Sequence, residues 1–376
     1  MGFIFCADLH MSTVGFRPQI PAEDGFLALN NLVDVVLELR LPMVIGGDIF
    51  DVSKPPPWVI NQTCRILSKV VDSGLYFIQG NHDKHLGEAW LDGLKGAVRL
   101  GAQPTEVSGH QLVGIDACSS QYLLEQVEEL PSEVEIVCHQ AFRQGLGFDG
   151  SWNADLDDKP WHRFKNIWVG DLHHSQVLFD KKKRVQAVYP GSIWPRSVSE
   201  ADCASYAIVG DKLDKKGHYE VEIRQLPRRP IIQVSITSEE KLEELLEDEA
   251  FMLSICRDTY QELPEWLRKP VIYIKYYKDI VGVESAFTAA LDALGGGYLI
   301  EEPLPARNGF AAQIDQAVDV SRGALTLAQI IHQKAGDHQN VRDFGVELAE
   351  CRDMNEVRMK IDEWRDKILN KKEDNK

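Results

Sequence analysis

The chain of 376 residues is long enough for two domains, or for one large domain with appendages, and its 44% hydrophobic and 26% charged content is that of a folded protein. No apolar stretch approaches the roughly 18 to 20 residues that cross a bilayer, and seven cysteines without framework spacing read as free thiols in a reducing cytoplasm rather than a disulfide scaffold. With 41 basic against 58 acidic residues, a formal net charge of -17, bulk electrostatics work against DNA binding, so any such contact must be local, metal-assisted or shared with a basic partner.

The first residues lack a basic segment leading into an apolar core, so the expected location is cytoplasmic or otherwise intracellular. Gly2 to Ala7 reads as a buried strand that ends at Asp8 and His10, followed by a loop to Pro21. An amphipathic helix is predicted from about Asp24 to Arg40, with Phe26, Leu29, Leu32, Val33, Val36 and Leu37 on one face. Met43 to Ile45 form the next strand, which runs into GGDIFD and delivers Asp48. Pro55 to Pro57 open a helix to about Val71, since proline is tolerated in a first turn. The strand Leu75 to Ile78 stops at Gly80 and presents Asn81, His82 and Asp83. Strand, helix, strand, helix, strand implies parallel pairing with crossovers, and ligands collect at the carboxyl ends of such strands.

From Val98 to Ala117 the strands shorten, with turn residues between them. Gln121 to Glu129 reads as a helix, Val134 to Cys138 as a strand carrying His139, and Ala141 to Pro160 as a long substrate-facing loop. Ile167 to Val169 leads to Asp171, His173 and His174, then come a hairpin around KKKR (Lys181 to Arg184) and the segment YPGS. The pattern breaks near Leu226 and resumes as strand (Ile231 to Ile236), helix (Glu239 to Ala250), strand (Val271 to Tyr277), helix (Glu284 to Leu294) and strand (Tyr298 to Glu301). The expected organisation is therefore a first domain over 1–226, a second α/β domain over 227–303, a linker over 304–324 and a helical segment over 325–370. The apolar stripe of that last segment, Val346, Leu348, Val357, Ile361, Trp364 and Ile368, suits a partner surface.

One strand ending in an acid is unremarkable: Asp8 alone could cap a helix, Asp48 close a turn and Gly80-Asn81 make a hairpin. Five strands ending in oxygen and imidazole donors point to a metal site at a common sheet edge. The candidates are Asp8, His10, Asp48, Asn81, His82, His139, Asp171 and His173, with His174 as an alternative register. Spacing of two in Asp8-Leu9-His10 and Asp171-Leu172-His173 points alternate side chains the same way. Carboxylates, an amide and imidazoles without thiolates favour manganese, iron or zinc over a structural zinc finger. Two metals roughly 3.5 to 4 Å apart are the usual clamp for phosphoryl hydrolysis, and a protonated histidine beside them assists the leaving oxygen. Cys6 and Cys138 read as small buried hydrophobes. Arg228 and Arg229 read as weak DNA contacts or as an interdomain salt bridge, KKKR as a solvated tip or a phosphate contact, and Trp152 and Trp161 as loop anchors or stacking platforms.

The order DLH, GGDIFD, GNHD, a lone histidine after a strand, and GDLH resembles the calcineurin-like metallophosphoesterases. Within them it is similar to the nuclease subunits of double-strand-break repair and recombination complexes, the meiotic recombination eleven family with its bacterial and phage relatives. The resemblance implies an α/β fold, a two-sheet β-sandwich flanked by helices, with a small α/β capping domain that contacts DNA and a helical C-terminal tail. It implies one metal on Asp8, His10, Asp48 and His173, and a second on Asp48, Asn81, His139 and Asp171. His82 is then the catalytic acid or the group that orients the phosphate, and Asp83 holds the turn behind it. Many relatives carry histidine where this chain has Asp171, and the carboxylate hardens the site toward Mn2+ or Mg2+, with Fe2+ and Zn2+ also compatible. The implied activity is a DNA exonuclease with endonuclease activity on single strands or hairpins, partnered by a coiled-coil ATPase on the C-terminal helices, with a homodimer through nuclease-domain helices and no membrane. Two rivals stay open: a phosphodiesterase or phosphatase of the same superfamily acting on small molecules or phosphoproteins, and a non-catalytic metal-stabilised module.

Overall fold

The computed structural model of the chain describes residues 2–12, 20–83, 94–146 and 154–304. Strand β1 (Phe3–Cys6) lies at the heart of the first six-stranded sheet. It pairs in parallel with β2 (Met43–Ile45), which pairs in turn with β3 (Leu75–Phe77) and then β4 (Val98–Arg99). On its other side β1 is antiparallel to β11 (Ser205–Leu213), whose outer neighbour is β12 (Tyr219–Gln225).

The second six-stranded sheet runs β5 (Thr105–Val107), β6 (His110–Ile115), β7 (Glu135–His139), β8 (Asn166–Gly170), β10 (Gln186–Tyr189) and β9 (Gln176–Phe179). Its middle four strands are parallel. A third, three-stranded sheet joins β13 (Ile231–Ile236), β14 (Val271–Tyr277) and β15 (Tyr298–Leu304), with β13 and β14 parallel.

Alternation along β1 builds the layers. Phe3 and Phe5 share a core with Val137, Trp168 and Val188 of the second sheet, so the two sheets pack face to face. Ile4 and Cys6 face the other way, onto Leu29, Leu32 and Val33 of helix α1 (Glu23–Leu39) and Val59 and Ile66 of helix α2 (Pro57–Leu67). The outer face of the second sheet is covered by Leu123 and Val127 of helix α3 (Ser120–Glu129), with Trp161 and Phe164. Helix α1 starts with Glu23 and Asp24, whose charge suits the amino end of a helix dipole, and stops at Arg40 in a left-handed conformation. Ser119 caps α3 by accepting the Tyr122 amide.

Three differences from the sequence expectation have physical causes. The helix expected to reach Val71 ends at Leu67 and tightens into a 3-10 turn over Ser68–Ser73. The helix expected over Glu239 to Ala250 is two, α5 (Glu239–Glu247) and α6 (Glu249–Ile255), because the Asp248 carboxylate accepts the amides of Ala250 and Phe251 and starts a new helix; a short α4 (Arg143–Leu146) precedes them in the long loop, and α7 (Val283–Ala293) follows. Strands β11 and β12 had no counterpart in the sequence expectation. In β12 charged residues alternate with Val221 and Ile223 along an edge strand, which dilutes the apolar signal.

Among the described residues, those up to Tyr276 with Gly282–Glu302 belong to one compact unit, and Tyr277–Val281 with Pro303 and Leu304 to another. The expected linker and helical segment beyond 304 lie outside the described residues, as does Trp152. Among the described residues no helix is long and apolar enough to cross a membrane.

Candidate metal centre

The parallel strands β1, β2 and β3 of one sheet and β7 and β8 of the other end side by side, and each releases its polar residues there. Backbone hydrogen bonds lock the divergence: the Asp8 amide donates to the Gly47 carbonyl (3.1 Å) and the His10 amide to the Asp48 carbonyl (2.9 Å). Asp8, His10, Asp48 and Asp171 all adopt positive φ (54°, 43°, 51° and 93°), a region that costs a non-glycine residue roughly 1–2 kcal/mol. Four ligand candidates share this strained geometry, so the fold holds them there against their local preference. Glycine is required at position 80, just past β3, since a Cβ there would overlap the Asp48 carboxylate.

The donors fall into two groups joined by Asp48. In the first, the Nε2 atoms of His10 and His173 face each other at 3.1 Å, and His10 Nε2 lies 3.8 Å from Asp8 Oδ1 and 3.6 Å from Asp48 Oδ2. In the second, His139 Nε2 lies 3.1 Å from Asn81 Oδ1, 3.4 Å from Asp48 Oδ2 and 3.8 Å from Asp171 Oδ1. The tautomers show what these groups fit. His173 Nδ1 is paired with Glu200 Oε1 (2.8 Å) and His139 Nδ1 donates to the Gly46 carbonyl (2.8 Å), which turns both Nε2 atoms inward, where each offers a lone pair once it gives up its proton. Those nitrogens face carboxylate and amide oxygens, an arrangement that divalent cations complete in place of the protons. The oxygen and imidazole donors present thus fit two such ions.

Electrostatics agree. Burial pushes the Asp8 carboxyl up to about 6, against the opposing pull of His139 and His173. Burial also raises Asp48, but the hydrogen bond and charge of His139 outweigh it and hold Asp48 below the usual carboxylate range. Burial lowers His139, and Asp48 more than reverses this, lifting the imidazole to about 10. Burial, with Arg196 and His173 nearby, drives His10 well below its ordinary value and keeps it neutral. Such a concentration of negative potential on a buried imidazole marks a place built for positive charge.

Several residues around the centre were not among the sequence candidates. Asp51 pairs through its carboxylate with the Arg196 guanidinium and through its carbonyl with His82 Nδ1. Glu200 accepts the Arg196 amide (3.0 Å) while orienting His173. Asp51 carried a signal, as the second acid of GGDIFD; Arg196 and Glu200 carried none, because they reach the site through pairings made elsewhere in the chain. His82 is 36% exposed, with Nε2 3.9 Å from Asp48 Oδ2, and its backbone amide donates to Asp48 Oδ1 (3.0 Å). Asp83 is buried and accepts the amides of Ile49, Phe50 and Gly80 at 3.0 to 3.1 Å, so it fastens the Asn81-His82 turn to the loop after β2.

The remaining candidates lie elsewhere. His174 is exposed and turns toward Cys203 Sγ (3.5 Å). Cys6 and Cys138 are buried, and burial pushes both thiols up, which keeps them protonated. Trp161 is fully buried in the core of the second sheet and anchors the loop. Arg229 is also buried, with Nε and Nη2 on the Asp24 carboxylate of α1 at 2.7 Å and Nη1 on the Lys269 carbonyl (2.6 Å), which takes it away from solvent and makes it a salt bridge between α1 and the segment that leads into β13. Arg228 is bonded to Asp202 (3.1 Å).

The family described as calcineurin-like phosphoesterase matches residues 1–191. Among curated proteins, the DNA double-strand break repair protein Mre11 of Saccharolobus solfataricus is 24% identical over 249 residues, 61% of this chain and 62% of that protein. The protein of the same name from Sulfolobus acidocaldarius is 26% identical over 194 residues, 46% of this chain and 50% of that one. The matches thus span between half and about three fifths of the relatives' length. A solved structure described as a novel archaeal phosphodiesterase aligns at a TM-score of 0.33 and 12% identity, over 60% of this chain and 100% of that one.

Proposed function

Because this chain belongs to the calcineurin-like phosphoesterase family, and is thereby a metallophosphoesterase, we propose that it is a two-metal DNA nuclease that hydrolyses phosphodiester bonds. The observation that carries the reading is the pair of inward-facing donor groups that share Asp48. One ion would be held by Asp8, His10, Asp48 and His173 and the other by Asp48, Asn81, His139 and Asp171, with Mn2+ the expected metal. When bound, the pair neutralises charge on the phosphate and acidifies a water. His82 Nδ1 donates to the Asp51 carbonyl, which leaves Nε2 to hold a proton toward the leaving oxygen or to orient the phosphate. Arg196, paired with Asp51, keeps that carbonyl in place.

DNA as substrate is supported by the distant relatives, which are DNA double-strand break repair proteins. The expected division into 1–226, 227–303, 304–324 and 325–370 belongs to the same proposal, with a coiled-coil ATPase on the last segment. Trp58 on α2, 55% exposed and packed on Phe26 of α1, offers an apolar contact for a second copy. The net charge of -17 favours a second reading, a phosphodiesterase for small molecules. Purified protein with Mn2+ is expected to degrade linear duplex DNA, and Asp48→Ala and His82→Ala to abolish this. Rapid turnover of a small chromogenic phosphodiester with no cleavage of DNA would decide for the second reading.

A further inference from the structure

The amino ends of the same strands carry a second constructed feature. Two hairpin turns, one from each sheet, meet there: residues 180–185 between β9 and β10, and residues 214–218 between β11 and β12. Asn166, at the start of β8, holds the second turn by donating to the Gly217 carbonyl (3.1 Å) and accepting the Tyr219 amide (2.9 Å). His218 Nε2 donates to the Arg184 carbonyl (3.2 Å). Between the turns lies a cleft of about 330 Å³ whose walls include Phe179, Lys183, Gln186, Lys216, His218 and Tyr219.

The cleft has a fixed aromatic wall and a basic rim. Tyr219 packs on the His110 ring at 4.3 Å, and His218, which is 4% exposed, lies 5.4 Å from Phe179. Phe179 itself is 38% exposed. Lys182, Lys183, Lys215 and Lys216 are exposed and make no ion pair among the described residues. The acids nearby are committed: Asp157 to Lys181 (3.3 Å), Asp180 to Arg184 (2.8 Å), and Asp214 to the amides of Lys216 (2.7 Å) and His218 (2.9 Å). Asp214, exposed on the wall, and Glu220, exposed at the rim, are the acids that oppose this charge, against the six cations of the two turns. In a chain of net charge -17, such a cluster of unspent cations beside an exposed ring is a local reversal of sign.

We propose that this cleft is a second nucleic-acid contact, which takes phosphates on Lys183 and Lys216 and a base against Phe179. It lies at the other end of β8 from Asp171, and five strand residues at about 3.3 Å each place it roughly 16 Å from the metal centre. It therefore grips the strand away from the cut. The proposal rests on the nuclease reading and deepens it by supplying the local positive charge that the composition withholds.

The test is anisotropy of a fluorescein-labelled single-stranded oligonucleotide, in EDTA and across a salt series, with wild type, Lys183→Glu plus Lys216→Glu, the milder Lys183→Gln plus Lys216→Gln, and Phe179→Ala. The double variants are expected to bind about ten-fold more weakly, with a salt slope smaller by about 1.4, two contacts at about 0.7 each on a single strand, and Phe179→Ala to weaken binding without changing the slope. Turnover of a chromogenic phosphodiester with Mn2+ and the urea unfolding midpoint are expected to stay at wild-type values. Unchanged affinity and slope in both double variants would overturn the second contact and leave the nuclease reading standing. Wild type that neither binds nor cuts DNA, while it hydrolyses the small ester, would overturn both.

Discussion

At the amino ends of the strands, buried carboxylates spend their oxygens on donors; at the carboxyl ends Asp83 does the same, but Asp8 and Asp48 keep oxygens turned to the ring nitrogens of His10, His139 and His173. Glu135 accepts from His110 Nδ1 (2.9 Å) and Trp168 Nε1 (2.8 Å), and Tyr219 contacts it as well. Asp180 accepts the amides of Arg184 (2.5 Å) and Val185 (2.9 Å) and the Arg184 guanidinium. Across the same sandwich, His139 Nε2 looks at the oxygens of Asn81, Asp48 and Asp171, and the two Nε2 atoms of His10 and His173 look at each other. A buried acceptor with its donors rigidifies a fold, whereas convergent acceptors held in positive-φ backbone weaken it and are kept where they meet a ligand.

If that contrast is right, changes at the two ends should separate activity from stability. The largest effect is expected from Asp48→Asn, which keeps the shape and removes the charge shared by both donor groups: Mn2+-dependent hydrolysis should fall by roughly 10³-fold, and the rise in unfolding temperature on adding Mn2+ should vanish. Retention of both would break the comparison at its functional end. Next, Glu200→Gln frees His173 from its orienting carboxylate, and a calorimetric titration should show Mn2+ binding weakened by about 10- to 100-fold.

At the opposite end the order reverses. Glu135→Ala strands the donors of His110 and Trp168 in the core and should cost about 3–5 kcal/mol in urea unfolding, with turnover of the folded protein unchanged. The smallest effect, about 2 kcal/mol, is expected for Asp180→Asn. Although burial alone would raise Asp180, the Val185 and Arg184 amides outweigh it and hold the carboxyl down at about 2, from 3.8. A depressed carboxyl stabilises in full above its unfolded value, and the benefit fades as pH falls through the folded one. The gap between wild type and Asp180→Asn should thus be widest near neutrality and close between 3.8 and about 2; a gap independent of pH would show that the ionised carboxylate is not the stabilising form.

Much of this was legible in the chain because it is local. Met43–Ile45, Ile231–Ile236 and Val271–Tyr277 announce themselves as apolar, β-branched or aromatic runs bounded by polar or turn residues. The acids and histidines that follow each run name the end of the sheet where chemistry gathers. Less was legible where signals are weak or distant. The β11–β12 hairpin escaped because its charged edge strand lacks a clean apolar period, yet β11 closes one side of β1. The short turn of Asp248 looked like helix interior until its carboxylate was seen to cap a new helix.

The sequence by itself determined which residues can ligate and that each sits at the end of a strand, because the alternation of apolar residues and the glycines before the acids are properties of a few neighbouring positions. Only the tertiary structure decided which donors stand together, which nitrogen each histidine turns inward, and that Arg229 is spent on Asp24 rather than offered to solvent. Those choices depend on partners such as Gly46, Glu200 and Asp24, which lie 93, 27 and 205 residues away along the chain and become neighbours only when the sheets and helices pack.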